Sequence, residues 1–201
     1  MTKRASKVEI PEFKSNVYRV GRTIYFFDSI DEDSVCDTIR ILDAMESESN
    51  KKEIYIILSS GGGNAYDGLA LYDRIRQSEC QIIIVGTGMV ASMGLIIFLA
   101  GDERRITENT RLLNHQVSAD DFGGRTSDFK IESKEFEELQ SILTDIVAER
   151  TGETVKQITR DIALGDKWIS AAYALEHGYA DFLIKNTRTY RKKKGKQENE
   201  K

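Results

Sequence analysis

Residues 54–100 read IYIILSSGGGNAYDGLALYDRIRQSECQIIIVGTGMVASMGLIIFLA, and this stretch decides the fold. It contains two short apolar runs, at 54–58 and 81–85, and each run ends in a glycine-rich turn. Between them, residues 65–77 carry apolar side chains at helical spacing. Strands that are apolar throughout and alternate with helices are typical of a parallel sheet covered on both faces. The stretch therefore predicts an α/β domain built from βαβ units.

The segments on either side continue this pattern. Residues 23–27 (TIYFF) are β-branched and aromatic and predict a further buried strand. Within the quoted stretch itself, residues 86–88 (GTG) are interpreted as a turn, and residues 90–100 as a helix rich in small and apolar side chains. The other predicted elements are a helix through Val35, Ile39 and Leu42, short strands at 105–107 and 111–113, and helices at 128–150, 154–163 and 170–179.

Length and composition limit the classes of function. The chain has 201 residues, 40% hydrophobic and 31% charged, which is typical of one folded globular domain. Its longest apolar run, 95–100, is far shorter than the roughly 20 residues of a transmembrane helix. The first residues lack the apolar core of a secretory signal, and Cys36 and Cys80 have no partners at metal-ligand spacing. We therefore expect a cytoplasmic protein without a metal, a cofactor or a membrane contact.

Charge separates the chain into a body and two ends. The net charge is −4, but residues 185–201 contain eight Lys or Arg and two Glu, so this tail carries about +6 and the rest about −10. A body this acidic is not expected to bind nucleic acid. We interpret residues 1–16 as a mobile N-terminal arm, 17–184 as the folded domain and 185–201 as a disordered basic tail.

Ser92 lies in the segment GMVASMG (88–94), between a predicted strand and an apolar helix. A helix start presents backbone N–H groups that can stabilise an oxyanion on an acyl group, and the glycines at 61–63 offer a second donor. Of the two histidines, His115 is the better candidate for a base because it follows a predicted strand, whereas His177 lies late on a helix. On the residues alone, a packing role for Ser92 and a structural role for His115 remain alternatives to nucleophilic catalysis.

Taken together, the segments from about residue 23 to residue 184 resemble the ClpP family, the proteolytic subunits of the Clp protease. The resemblance rests on several blocks that occur in the family's order. SSGGG (59–63) is similar to the N-S-P-G-G turn, GLALYD (68–73) to the helix after it, GMVASMG (88–94) to the nucleophile segment, RLLNHQ (111–116) to the R-x-x-x-H-Q block, and DKWIS (166–170) to the D-R-x-x-S segment.

The resemblance implies a serine endopeptidase that works through an acyl-enzyme. It implies Ser92 as the nucleophile, His115 as the general base and Asp166 as the acid that orients the imidazole. It also implies an oxyanion hole from the backbone N–H groups of Gly63 and Met93. An extended substrate would pair with two segments, whose residues are Gly62, Gly63 and Asn64 in the first and Val117 and Ser118 in the second.

The resemblance also implies an architecture and partners. The expected fold is a spiral of ββα units, related to the crotonases, with a protruding strand–helix handle that begins at 123–128 (GGRTSD) and continues into the long helix. The expected assembly is two stacked heptameric rings that enclose the sites, take unfolded polypeptide as substrate and receive it from an ATP-dependent unfoldase. Phe129 and Phe136 fit a handle interface, with packing against this chain's own core as the alternative.

The sequence departs from the family at several positions. Gly61 and Val117 stand where the family has proline, and Asn114 replaces an apolar residue. None of these changes removes a side chain that the chemistry needs. The family's axial-loop sequence, which meets the unfoldase, is not recognisable in residues 1–16. Two alternatives therefore stay open. One is an unfoldase-dependent protease, and the other is a divergent member encoded by a virus or prophage, such as a capsid-maturation protease.

Three other functions compete with this hypothesis. A catalytically silent scaffold or regulatory subunit of a mixed ring need not keep Ser92, His115 and Asp166 together. A crotonase-type acyl-CoA enzyme usually needs a glutamate beside the glycine turn, where Asn64 and Asp67 stand instead. A membrane-anchored peptidase with a Ser–Lys pair needs an anchor helix and a lysine near the serine, and the sequence shows neither. A serine peptidase therefore remains the favoured function.

Overall fold

The computed structural model describes residues 15–118 and 125–186, and within these ranges the chain forms eight strands and six helices. The strands are β1 (Val17–Val20), β2 (Thr23–Phe26), β3 (Ile54–Ser60), β4 (Ile82–Ala91), β5 (Glu103–Thr107), β6 (Arg111–Asn114), β7 (Lys167–Ser170) and β8 (Phe182–Ile184). The helices are α1 (Glu32–Glu48), α2 (Ala65–Arg76), α3 (Met93–Leu99), α4 (Thr126–Thr151), α5 (Val155–Ala163) and α6 (Ala171–Glu176).

Parts of three predicted segments lie outside the described residues. These parts are residues 1–14 of the predicted N-terminal arm, residues 187–201 of the predicted basic tail, and the two glycines that open the predicted handle, Gly123 and Gly124. The long helix that was expected to continue the handle is α4.

The strands form one sheet, which is parallel through its centre. Strands β2, β3, β4, β5 and β8 run parallel to their neighbours, and β1 pairs antiparallel with β2. Strand β4 is ten residues long and pairs with β5 through residues 83–86 and with β6 through residues 89–91. Strand β7 then pairs antiparallel with β6. The predicted α/β architecture with a parallel sheet is confirmed.

The structure corrects the boundaries predicted around Ser92. Residues 86–88, interpreted as a turn, lie inside β4. The helix predicted at 90–100 begins only at Met93, because β4 continues through Ala91 in register with β6. Both corrections have one cause, which is that the second half of β4 has its own pairing partner. They place Ser92 at the junction between strand and helix.

Three short strands, β1, β7 and β8, are absent from the sequence prediction. Each has four residues or fewer, too few for an alternating pattern to stand out. Strand β7 ends at Ser170, which also caps α6, since its Oγ accepts a hydrogen bond from the Tyr173 N–H at 3.2 Å. Ser170 is therefore the N-cap of α6, which is shorter than the helix predicted at 170–179.

Helix α3 is buried along its whole length, as expected for a helix that is apolar on every face. Glycines let its neighbours approach closely. A Cβ on Gly68 of α2 would lie 2.3 Å from the Met93 Cε, and a Cβ on Gly94 would lie 3.1 Å from the Ser60 carbonyl oxygen. These contacts fix α3 against α2 and β3, and they fix Ser92, which directly precedes α3.

Helix α4 corresponds to the long helix predicted at 128–150. Gly152 follows it in the left-handed conformation, with φ 81°. Arg150 in the last turn donates hydrogen bonds to the carbonyls of Leu99 and Gly101, each at 2.7 Å. The C-terminal end of α4 is therefore tied to the end of α3. Among the described helices, none is both long and apolar enough to span a bilayer.

Arg104 joins β5 to the chain around β8. Its guanidinium donates to the Asp181 carboxylate at 2.7 and 3.0 Å, and to the carbonyls of Arg150 and Gly178 at 2.7 and 2.9 Å. The Arg104 backbone N–H also donates to Asp181, at 2.8 Å. Burial works to raise the pKa of Asp181, but the hydrogen bonds and the charge of Arg104 outweigh it and lower that pKa.

We expect Arg104→Met to lower the free energy of unfolding by about 3 kcal/mol, because it leaves a partly buried carboxylate and two carbonyls without their donor. A carboxylate whose pKa is lowered by folding stabilises the fold at neutral pH and loses this effect as the pH falls through its folded pKa. The difference in the free energy of unfolding between wild type and variant should therefore become smaller at acidic pH. Urea denaturation at neutral pH and at about pH 3, at one protein concentration, measures both effects. If the difference in the free energy of unfolding is the same at both pH values, the ion pair with Asp181 is not its cause.

Candidate active site

Ser92 has a backbone conformation that residues with a side chain rarely adopt. Its φ is 55° and its ψ is −126°, and in the described part of the chain it is the one non-glycine residue with positive φ. Its N–H donates to the Leu113 carbonyl at 3.0 Å, and its carbonyl accepts from the Leu95 N–H at 2.9 Å. Such strain costs about 1–3 kcal/mol and tends to cluster at functional sites. The half-buried Ser92 therefore lies on a constrained turn at the C-terminal end of β4.

The glycine turn after β3 packs directly against this serine. A Cβ on Gly62 would lie 2.5 Å from the Ser92 Cβ and 3.0 Å from its Oγ, so no larger residue fits there without displacing Ser92. The Gly62 φ is 99°, which also favours glycine. Its N–H donates to the Ser60 Oγ at 3.1 Å. Gly62 thus contributes close backbone contact rather than a free N–H donor.

The next residue, Gly63, has a different role in the turn. The Ile30 N–H donates to the Gly62 carbonyl at 2.9 Å, and the Asn64 N–H donates to the Ile30 carbonyl at 2.8 Å. In this parallel pairing the N–H of Gly63 itself points away from Ile30. A Cβ on Gly63 would lie 2.1 Å from the Ile30 carbonyl oxygen, so the position requires glycine.

Met93 supplies a second amide beside Ser92. It is the first residue of α3, and the N–H groups of a first helical turn have no acceptor within the helix. Gly63 and Met93 line one cavity of about 250 Å³ together with Ser92. This places both residues of the predicted oxyanion hole beside the same space as Ser92.

His115 reaches the same cavity from the neighbouring strand. It directly follows β6, which runs parallel to the second half of β4. In this register Ala91 pairs with Leu113, so Ser92 and His115 leave the C-terminal ends of adjacent strands. Both side chains are half-buried and line the cavity. The structure thus brings together the serine and the histidine that the sequence singled out.

Asp166 is placed beside His115 by the antiparallel pairing of β6 and β7. Asn114 pairs with Lys167, so one further step in this register sets His115 opposite Asp166. Asp166 is exposed and does not line the cavity of Ser92. Within the described part of the chain, no hydrogen bond joins His115 to Asp166 or to the Ser92 Oγ.

The second histidine lies elsewhere. The His177 Nδ1 is 3.1 Å from a Glu153 carboxylate oxygen, and its ring stacks on Tyr173 with the centroids 3.7 Å apart. It does not line the cavity of Ser92. The preference for His115 over His177 as the candidate base therefore agrees with the geometry.

One wall of the cavity comes from α4. Phe136, Leu139 and Leu143 face it at helical spacing. Phe136 therefore lines a cavity of this chain, whereas Phe129 is 42% exposed. The sequence identifies these side chains only as the apolar face of a helix, and nothing in their spacing says which surface the face covers.

Gln140 is a site residue that the sequence analysis misses. Its Oε1 accepts the Val117 N–H at 2.7 Å, and its Nε2 donates to the Thr144 Oγ1 at 3.1 Å. The side chain amide thus ties α4 to the segment just after His115. Of the residues predicted to contact the substrate, Gly63, Asn64, Val117 and Ser118 line the cavity. Gly62 does not line it, although it touches Ser92.

The fold and the site together define an α/β protein that presents a serine and a histidine in one cavity at the ends of parallel strands. The sequence profile of a family described as Clp protease matches residues 12–187. Because this match spans most of the 201 residues, the chain belongs to the Clp protease family. The predicted resemblance to ClpP-type proteolytic subunits is confirmed, and so is the ClpP-type fold.

The chain is similar to bacterial proteins named ATP-dependent Clp protease proteolytic subunits. Subunit 2 of Rhodococcus jostii is 33% identical over 168 residues, which cover 81% of this chain and 84% of that protein. Subunit 2 of Tropheryma whipplei is 36% identical over 169 residues, covering 81% and 90%. Subunit 1 of Corynebacterium jeikeium is 32% identical over 184 residues, covering 88% and 95%. The similarity therefore extends over most of each relative.

A solved structure gives the same result for the fold. A ClpP1 mutant from Listeria monocytogenes superposes with a TM-score of 0.75 and 31% sequence identity. The superposition covers 83% of this chain and 92% of that one. The sheet and helices that position Ser92 and His115 thus belong to a fold that the Listeria protein shares.

Proposed function

We propose that this chain is a serine endopeptidase of the Clp type, with Ser92 as nucleophile, His115 as general base and Asp166 as the group that orients the imidazole. The observation that carries the proposal is the strained turn at Ser92, which shares one cavity with His115 and with the amides of Gly63 and Met93. Membership of the Clp protease family supports it. Neither a metal nor a cofactor enters the proposed chemistry.

The proposed reaction begins with attack of the Ser92 Oγ on a peptide carbonyl carbon, while His115 accepts the Oγ proton. The carbonyl oxygen becomes an oxyanion and accepts hydrogen bonds from the N–H groups of Gly63 and Met93. His115 then donates its proton to the leaving nitrogen, the C–N bond breaks, and an acyl-enzyme remains. Water attacks the acyl carbon as His115 removes its proton. The bond between the acyl carbon and the Ser92 Oγ then breaks, His115 returns the proton to that Oγ, and the carboxylic product leaves. Asp166 stabilises the imidazolium that forms in both halves.

The cavity favours an extended polypeptide with an apolar side chain beside the scissile bond. Phe136, Leu139 and Leu143 form an apolar wall next to Ser92. We propose that the substrate backbone pairs with residues 62–64 and with Val117 and Ser118. The Val117 N–H already donates to Gln140, so this donor is open to a substrate only if Gln140 moves.

We propose that the active form is a homo-oligomer, with two stacked heptameric rings as the expected arrangement, that degrades unfolded polypeptide in the cytoplasm. The relatives' names describe subunits of an ATP-dependent protease, which supports an unfoldase as a partner. The thiols of Cys36 and Cys80 are free, which fits a reducing compartment. Nucleic acid and membrane are not among the proposed partners.

A serine-reactive fluorophosphonate tests the proposal directly. An activated serine loses its proton to the base, attacks the phosphorus, displaces fluoride and retains the phosphonyl group, so intact mass should show one adduct per chain in the wild type and none in Ser92→Ala. The assembly state of both samples is checked in parallel. The absence of an adduct on a folded, assembled wild type would contradict the proposal and favour the silent scaffold or regulatory subunit instead.

A further inference from the structure

The loop that carries Asp166 has little packing of its own. It connects α5 to β7, and its residues 164–166 are all exposed, with Leu164 86% exposed. Gly165 in this loop has φ +124°, and a Cβ there would meet nothing within 4 Å. The position of Asp166 therefore depends on how the two ends of the loop are held.

Lys167 ties these two ends together. It is the first residue of β7, and its Nζ forms an ion pair with Asp161 of α5, on the other side of the loop. The same Nζ donates to the Tyr173 hydroxyl at 3.0 Å and lies 4.0 Å from the Glu153 carboxylate. We call Lys167, Asp161, Tyr173 and Glu153 the Lys167 clamp. It joins β7 to α5, to α6 and to the segment that follows α4.

The clamp is largely shielded from solvent, and its ion pair between Lys167 and Asp161 favours the charged form of both groups. The side chains of Lys167, Asp161 and Glu153 are 15%, 16% and 11% exposed. Burial works to lower the pKa of Lys167, but hydrogen bonds to Asp161 and Tyr173 outweigh it and raise the pKa. The hydrogen bond from Lys167 lowers the pKa of Asp161, whose other oxygen accepts Gln157 Nε2 at 2.6 Å. An ion pair shielded in this way is stronger and more fixed in geometry than an exposed one.

The clamp acts one residue away from the proposed catalytic acid. Lys167 pairs with Asn114 in the register of β6 and β7, and the next step along each strand is Asp166 opposite His115. A displacement of the Lys167 backbone therefore moves Asp166 relative to His115. In the described structure the Asp166 side chain makes no hydrogen bond, so no hydrogen bond of its own resists that displacement.

We propose that Lys167 is a positioning residue for the peptidase reaction: through the Lys167 clamp it holds Asp166 opposite His115. This inference rests on the proposed function of Ser92, His115 and Asp166. Lys167 does not line the cavity of Ser92, so it acts through Asp166 and not on the substrate.

Lys167→Met tests the inference, because it keeps the length of the side chain and removes its charge. We expect kcat for a fluorogenic peptide to fall about 10- to 100-fold, the usual cost of displacing a catalytic group by about 1 Å, with KM unchanged. Lys167→Arg keeps the charge and should restore most of the rate. Tyr173→Phe removes the hydroxyl that bonds Lys167 and Glu153 at 3.0 and 3.5 Å but leaves the ion pair with Asp161, so it should give a smaller loss in a chain that keeps its packing. Arg40→Met, which breaks an exposed ion pair on α1, is the matched control.

A double-mutant cycle separates positioning from general damage to the fold. In an Asp166→Asn background, Lys167→Met should cost almost nothing more, because the carboxylate that it positions is already absent. An equal loss in both backgrounds, or an unchanged kcat in a folded and assembled Lys167→Met, would overturn the inference. Either result leaves the proposed function intact as long as the wild type hydrolyses the peptide and Ser92→Ala does not. A wild type without hydrolysis would overturn the proposed function and this inference together.

Discussion

Replacing His115 by alanine is expected to lower kcat for peptide hydrolysis by about 10⁶-fold, and adding Ser92→Ala should cost almost nothing more. The two residues line one cavity at the ends of adjacent parallel strands. The Ser92 hydroxyl is a weak nucleophile without a base, and the base has no proton to accept without the hydroxyl. We therefore expect them to act as one unit, with effects on kcat that are not additive. The kcat values of both single variants and the double variant, measured with one fluorogenic peptide, test this.

The other histidine provides the matched control. His177 contacts Glu153 and Tyr173 and does not line the cavity, so His177→Gln should retain most of the activity. Glutamine also keeps a polar group near Glu153. A His115→Ala variant with kcat within about tenfold of wild type would remove His115 as the general base. If the fold-losses in kcat of the two single variants multiply in the double variant, Ser92 and His115 contribute separately.

The sequence predicts Ser92 and His115 as candidates but not the reason that they meet. Residues 86–88 contain two glycines, which indicate a turn in a sequence. In the structure these glycines lie within β4, where a Cβ on Gly86 would be 3.2 Å from the Phe98 ring. Gly86 therefore allows β4 to pack closely against α3. Local sequence patterns do not distinguish these two uses of glycine, because the difference depends on a contact between distant residues.

Asp166 illustrates the same limit for pairing between strands. Its role is implied by the family resemblance alone, since β7 is too short to be predicted by its pattern. Its place opposite His115 follows from the antiparallel register of two four-residue strands that are more than 50 residues apart in the chain. The wall formed by α4 is similar: the helix and its apolar face are predictable, but the surface that the face covers is set by tertiary packing.

The short motifs form one site because they follow strands that run parallel to each other. The turn at 61–63 follows β3, Ser92 follows β4 and His115 follows β6, so all three lie at the same edge of the sheet. Ligand sites of parallel α/β sheets occur at this edge. The family resemblance identifies which residues to examine, and the parallel topology explains why residues from three separate motifs converge. Asp166 is the exception, since it comes to His115 along an antiparallel pair.

Asp166→Asn should lower kcat by about 10⁴-fold while the fold and KM stay close to those of the wild type. Asparagine preserves the shape of the side chain, but it is neutral and its amide also donates hydrogen bonds. It therefore neither stabilises the imidazolium of His115 nor holds the ring in the tautomer that accepts the Ser92 proton. The kcat for a fluorogenic peptide and the rate of fluorophosphonate labelling measure the effect, and both should fall because both require an activated Ser92.

An exposed aspartate on α2, Asp73, provides the control, since Asp73→Asn makes the same chemical change far from His115. A rate for Asp166→Asn within about twofold of wild type would remove Asp166 from the mechanism. A labelling rate that stays at the wild-type value while kcat falls would place the effect of Asp166 after the attack by Ser92. The expected loss in both rates fits a carboxylate that acts through His115, since Asp166 lies next to His115 in the strand register and does not line the cavity of Ser92.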